Sequence, residues 1–109
     1  MILDYSTMET TTIPNFLGGD GAVHAQMRVD ELGKILKGAL DPGSSIGYHT
    51  HETSSEIVYI LSGTGKVKVE DGEEPVKAGD CHYCPKGHSH SLINDSDSPL
   101  EFFAVVPNQ

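Results

Sequence analysis

The sequence predicts an all-β chain, a sandwich or barrel of short strands. Three observations carry this. Apolar residues recur at every second position in short runs, and no stretch repeats them with the 3.6-residue period of a buried helix face. Twelve glycines and six prolines, among 109 residues, fall between those runs and punctuate the chain about every six to ten residues. Counting runs between turns gives about nine or ten strands, the spacing expected of a two-sheet or closed β architecture. This length suffices for one domain and leaves too little core for two.

Taken in order, Met1 to Gly21 has little periodicity and ends in the turn cluster Gly18-Gly19-Asp20-Gly21, so residues 1–21 read as an N-terminal arm with one short strand. The domain proper, residues 22–109, begins with Ala22 to Val29. There Val23, Ala25, Met27 and Val29 share one face, and His24, Gln26 and Arg28 share the solvated one. Lys34 to Leu40 follows and is closed by Asp41-Pro42-Gly43, with proline at its favoured turn position. Ile57 to Leu61 is the next strand, and Ser62-Gly63-Thr64-Gly65 turns it into Lys66 to Glu70, with Val67 and Val69 inward. Asp71-Gly72 is a hairpin signal leading to Pro75–Ala78, and Gly79-Asp80 turns into Cys81–Pro85. A strand carrying His90 and a last strand, Leu100 to Val106, complete the chain. That last strand is apolar on both faces except at Glu101, which implies burial between layers or against another subunit.

The chemistry concentrates between Gly43 and Gly63. His49 and His51 stand two apart, so a strand projects both imidazoles to one side. A hairpin after them would return the Glu56 carboxylate beside the rings. Two neutral nitrogens and a carboxylate suit zinc, iron, manganese, nickel or copper. A further histidine, His90, follows the turn Pro85-Lys86-Gly87.

These two stretches resemble the two signature motifs of the cupin superfamily. The first motif is met by Gly43, His49, His51, Glu56 and Gly63, the second by Gly79, Pro85, Gly87, His90 and Asn94. The resemblance runs from about Lys34 to the end of the chain. It implies a single cupin-type jelly-roll β-barrel, and one divalent metal held by His49, His51, Glu56 and His90. Four such ligands on an octahedral ion leave two adjacent positions for a substrate, or for substrate and dioxygen. The motif glycines and Pro85 then have backbone roles, with positive φ expected at Gly43, Gly63, Gly79 and Gly87, and Asn94 caps a turn. Neither motif repeats, as expected of a one-domain cupin. Small cupins are commonly homodimers, and the apolar last strand is compatible with that.

Other groups have plainer readings. Cys81 and Cys84 point to opposite faces of a strand, so neither a shared ion nor a disulfide is expected. His82 shares the inward face with Cys84, at a position where similar cupins usually carry an aliphatic residue. Both are candidate pocket residues, His82 as a hydrogen-bond partner behind the ligands or as an acid or base. His88 reads as an exposed turn residue, and Tyr48, Tyr59 and Tyr83 as outward packing groups.

A net charge of −9 excludes a nucleic-acid or anionic-membrane partner, which needs clustered Lys and Arg. No apolar run approaches membrane-spanning length and the opening residues lack a secretory pattern, so a cytoplasmic location is expected. The resemblance implies a metal-dependent enzyme on a small polar metabolite, of the dioxygenase, decarboxylase or isomerase class. Two alternatives stay open at this point: a non-catalytic module that binds a metal or small molecule, and an interaction barrel without metal.

Overall fold

The computed structural model describes all residues, 1–109, as ten strands in two facing sheets with one short 3-10 turn, Phe16–Gly18. The strands are β1 (Thr11–Pro14), β2 (Ala22–Asp30), β3 (Gly33–Leu40), β4 (His49–Thr50), β5 (Glu56–Ser62), β6 (Thr64–Val69), β7 (Gly72–Lys77), β8 (Cys81–Cys84), β9 (Ser89–Ile93) and β10 (Leu100–Pro107). One sheet runs β1-β2-β3-β10-β5-β8 and the other β4-β9-β6-β7, and every pairing is antiparallel. This is the jelly-roll arrangement, with the barrel left open between sheets rather than closed by a continuous hydrogen-bond ladder. No helix of the protein is long and apolar enough to cross a membrane.

Strand alternation builds the interior. In β5, Glu56, Val58 and Ile60 are buried while Ile57, Tyr59 and Leu61 are exposed. The last strand follows the same rule, with Leu100, Phe102, Ala104 and Val106 inside. It lies between β3 and β5, so its apolar residues on both faces reflect a central place in the larger sheet. The shared core joins Leu40, Ile60, Leu100 and Phe102 of that sheet to Val67 and Leu92 of the smaller one.

The arm is tied into this framework. Its strand β1 pairs within the chain with β2, and the Phe16 carbonyl accepts from the Gly47 amide at 3.0 Å. The Tyr5 ring meets Phe103 edge-on at 6.2 Å, on the outer face of the larger sheet. The four motif glycines take the positive φ expected of them. Asn94, fully buried, donates to the carbonyls of Leu40 and Ser98 and accepts from Ser96, which closes the 94–98 turn against the end of β3.

One expectation fails. His49–His51 and Glu56 do not form a hairpin. β4 belongs to the smaller sheet and β5 to the larger, and the segment between them crosses from one to the other. A two-residue strand has too few ladder bonds to fold back on its successor. It pairs instead with β9, where His49 lies opposite His90.

Phe102 fills the core directly over Gly38, its register partner, and a Cβ there would stand 2.5 Å from the ring. Gly38→Ala is therefore expected to cost about 1–3 kcal/mol through overpacking, and Gly38→Ala with Phe102→Leu less than the sum of the two single changes. Urea unfolding of the four proteins measures this. Strict additivity would show that the ring and the glycine do not share the space.

Candidate metal centre

The four side chains that the motif resemblance groups together meet between the sheets. The potential ligand atoms of His49, His51, Glu56 and His90 all lie within 4.8 Å of one another. His49 and His90 come from adjacent strands of the smaller sheet, His51 from the crossing segment, and Glu56 from the first position of β5 opposite. The Nε2 atoms of His49 and His51 are 3.1 Å apart, and those of His51 and His90 3.0 Å. Glu56 Oε1 stands 2.8 Å from His90 Nε2, 3.1 Å from His51 Nε2 and 3.9 Å from His49 Nε2.

All three rings aim Nε2 inward, because each Nδ1 has a partner outside the cluster. His49 Nδ1 donates to the Gly47 carbonyl at 2.6 Å, His51 Nδ1 bonds Ser54 Oγ at 2.9 Å, and His90 Nδ1 bonds His82 Nε2 at 3.0 Å. A neutral ring that keeps its proton on Nδ1 presents a bare nitrogen at Nε2. Three such lone pairs and a carboxylate facing one point repel one another unless a cation stands between them. The four contacts of 2.8 to 3.1 Å also match the edges of an octahedron whose metal–ligand bonds are about 2.1 Å. The donor set fits a divalent ion.

Electrostatics agree. Without an ion, protons taken up at Nε2 play the cation's part: burial would raise the Glu56 carboxyl, but hydrogen bonds from His49, His51 and His90, which those rings can donate only when protonated there, hold the group well below the carboxylate range. Burial disfavours charge on His49 too, yet Glu56 and the Gly47 carbonyl raise its pKa. At His90 burial prevails and the pKa falls.

The cluster opens onto a cavity of about 90 Å³ between the sheets. Its far wall is apolar, with Phe16 and Leu17 of the arm and Met27, Leu36 and Val106 of the larger sheet. Lys34 is the one charged side chain lining it besides the ligands. Its place was readable, since it shares the inward parity of Leu36, Gly38 and Leu40 on β3, but it carried no motif to draw attention.

The two candidate pocket residues, His82 and Cys84, are buried on the inner face of β8 as their parity implied, yet neither lines this cavity. His82 lies behind His90, the rings stacked at 5.2 Å. Burial, then the charges of Glu56 and Glu70, push the Cys84 thiol up to about 11, which keeps it protonated at neutral pH. Cys81 is exposed and unpaired. His88 is exposed and bonds Glu70 at 2.8 Å, and Tyr48, Tyr59 and Tyr83 all face solvent. His24 is held by Asp41 at 2.8 Å and Thr12 at 2.9 Å, away from the centre.

Comparison with known proteins follows the same lines. An oxalate-binding protein of Thermotoga maritima is 36% identical over 97% of this chain and 93% of its own length. An uncharacterized protein of Methanocaldococcus jannaschii is 31% identical over 85% of this chain and 78% of its own. The crystal structure of a predicted oxalate decarboxylase from Thermotoga maritima superposes with a TM-score of 0.94 at 34% identity, covering both chains in full. The family model for the cupin domain matches residues 21–106. With both motifs filled and their four polar side chains gathered inside a jelly roll, the chain belongs to the cupin family.

Proposed function

We propose that this protein holds one divalent ion with His49, His51, Glu56 and His90, and binds there a small carboxylate, oxalate being the first candidate. The observation that carries this is the cavity: it is small, apolar on its far wall, and supplied with one cation, Lys34. A bound ion supplies Lewis acidity and a place for a bidentate anion. Lys34 then meets the charge that remains on the anion, and the apolar wall excludes water, which strengthens both interactions. The oxalate-binding relative supports the same ligand class. Which of manganese, iron, nickel, zinc or copper is held is a matter for elemental analysis of protein purified without chelator.

Calorimetric titration of metal-loaded protein tests the reading. Oxalate is expected to bind only when metal is present, and Lys34→Met to weaken it by about 10–100-fold, the loss of one charge-assisted contact. Absence of any oxalate heat from loaded protein would sink the carboxylate assignment. Decarboxylation is the second reading, favoured by the likeness to the predicted oxalate decarboxylase. Formate released from oxalate would establish it. Oxalate recovered intact is the outcome expected here, because no acid or base besides Lys34 and the ligands lines the cavity.

Protons compete with the ion for the ring nitrogens. Because the His49 pKa is raised, competition is expected to begin above the ordinary histidine value of about 6.5. Glu56 stays charged far into acid, so the histidines set the window. Metal content should fall as pH drops from about 7 to 4, and His49→Ala should remove most metal at neutral pH while the domain stays folded. Retention of the metal at pH 4 would contradict the ligand set.

The outer face of the larger sheet carries Ile57, Tyr59, Leu61 and Tyr83 exposed side by side on β5 and β8. A contiguous apolar face of this kind marks an interface, and we propose that a second copy of the chain covers it. Sedimentation equilibrium should give a dimer, with Tyr59→Asp shifting it toward monomer. A monomeric wild-type protein at tens of micromolar would refute this arrangement.

A further inference from the structure

Behind the metal centre, a chain of hydrogen bonds leads from His90 to the surface. His90 Nδ1 bonds His82 Nε2 at 3.0 Å, and His82 Nδ1 bonds Glu74 Oε1 at 3.0 Å. The His82 side chain is 4% exposed and that of Glu74 55%. The two belong to different sheets, His82 to the edge strand β8 and Glu74 to the edge strand β7, so the contact bridges their open side.

With the His82 ring neutral, the protons of this chain can run in one direction only. A carboxylate accepts and does not donate, so His82 must carry its proton on Nδ1. Its Nε2 is then bare and can only accept, so His90 must carry its proton on Nδ1 and leave its own Nε2 bare. The reverse order would set a bare ring nitrogen against the Glu74 carboxylate. We infer that Glu74 and His82 are positioning residues which together hold His90 in the tautomer that binds metal, and which make its Nε2 a stronger donor by passing carboxylate charge through two rings.

This rests on the metal reading above, and the test separates the two. Co²⁺ affinity is measured by chelator competition and its visible absorption recorded for the wild type, His82→Leu, Glu74→Ala and the double variant. His82→Leu is expected to weaken Co²⁺ by about 10–100-fold and to shift the absorption. Glu74→Ala should act in the same direction by a smaller factor. The double variant should match His82→Leu alone, because Glu74 acts only through His82. Equal affinities and spectra in all four proteins would overturn the inference while leaving the metal site standing, and additive losses would overturn it as well. Were His82→Leu not to fold, the surface variant Glu74→Ala carries the same two readouts. Glu70→Ala, at the neighbouring exposed pair with His88, is the control and should change neither.

One further measurement needs no ion. Nitrogen-15 spectra of the imidazoles should show His82 protonated at Nδ1 in the metal-free protein, and an Nε2-protonated ring would refute the proposed order. A wild type that took up no Co²⁺ yet showed this tautomer would overturn the metal reading and leave the hydrogen-bond order intact.

Discussion

The centre depends on one electrostatic constraint, three ring nitrogens and a carboxylate oxygen made to face one another in a buried space. Left to themselves, four electron-rich atoms at near 3 Å would separate or collect protons. They are kept together because each ring is fastened from behind, to Gly47, Ser54 and His82 respectively. The Gly47 carbonyl, which only accepts, places the His49 proton on the outside and its lone pair on the inside, and His82 and the Ser54 hydroxyl can accept from His90 and His51 in the same way. The cost of assembling such a cluster without a cation is the physical reason to expect one there.

The fold serves this constraint by dividing the donors between its two sheets. His49 and His90 stand opposite one another on neighbouring strands of the smaller sheet, and Glu56 reaches across from the larger. Because the segment from His51 to Ser55 crosses between sheets, the four donor side chains line the gap rather than one wall. The core of Leu40, Phe102, Val67 and Leu92 holds the two layers at a fixed distance. The arm closes one side of the cavity through Phe16 and Leu17, which leaves an apolar wall with Lys34 as its one cation.

Much of this was legible in the residues. The alternation in β2 gave both the strand and its faces, since a pleated backbone turns every second side chain the same way, whereas β10, apolar on both faces, showed that it was buried but not which side faced the core. The spacing of His49, His51 and Glu56 pointed to a common site, the resemblance to the second motif added His90, and parity alone put Cys81 outside and Cys84 inside. The hairpin expected between His51 and Glu56 was a wrong inference from a correct pattern. Proximity in sequence does not say whether a short connection reverses within a sheet or passes to another.

What the sequence by itself determined is therefore the local chemistry: strand faces, turn positions, and which donors belong together. Only the tertiary structure decided how those donors are oriented and what backs them. The reach of Glu74 to His82 joins edge strands of different sheets, and Lys34 gains its meaning from a cavity walled by β2, β3, β10 and the arm. Neither relation leaves a trace in spacing, because contacts across layers are set by how whole sheets pack and not by the period of any one strand.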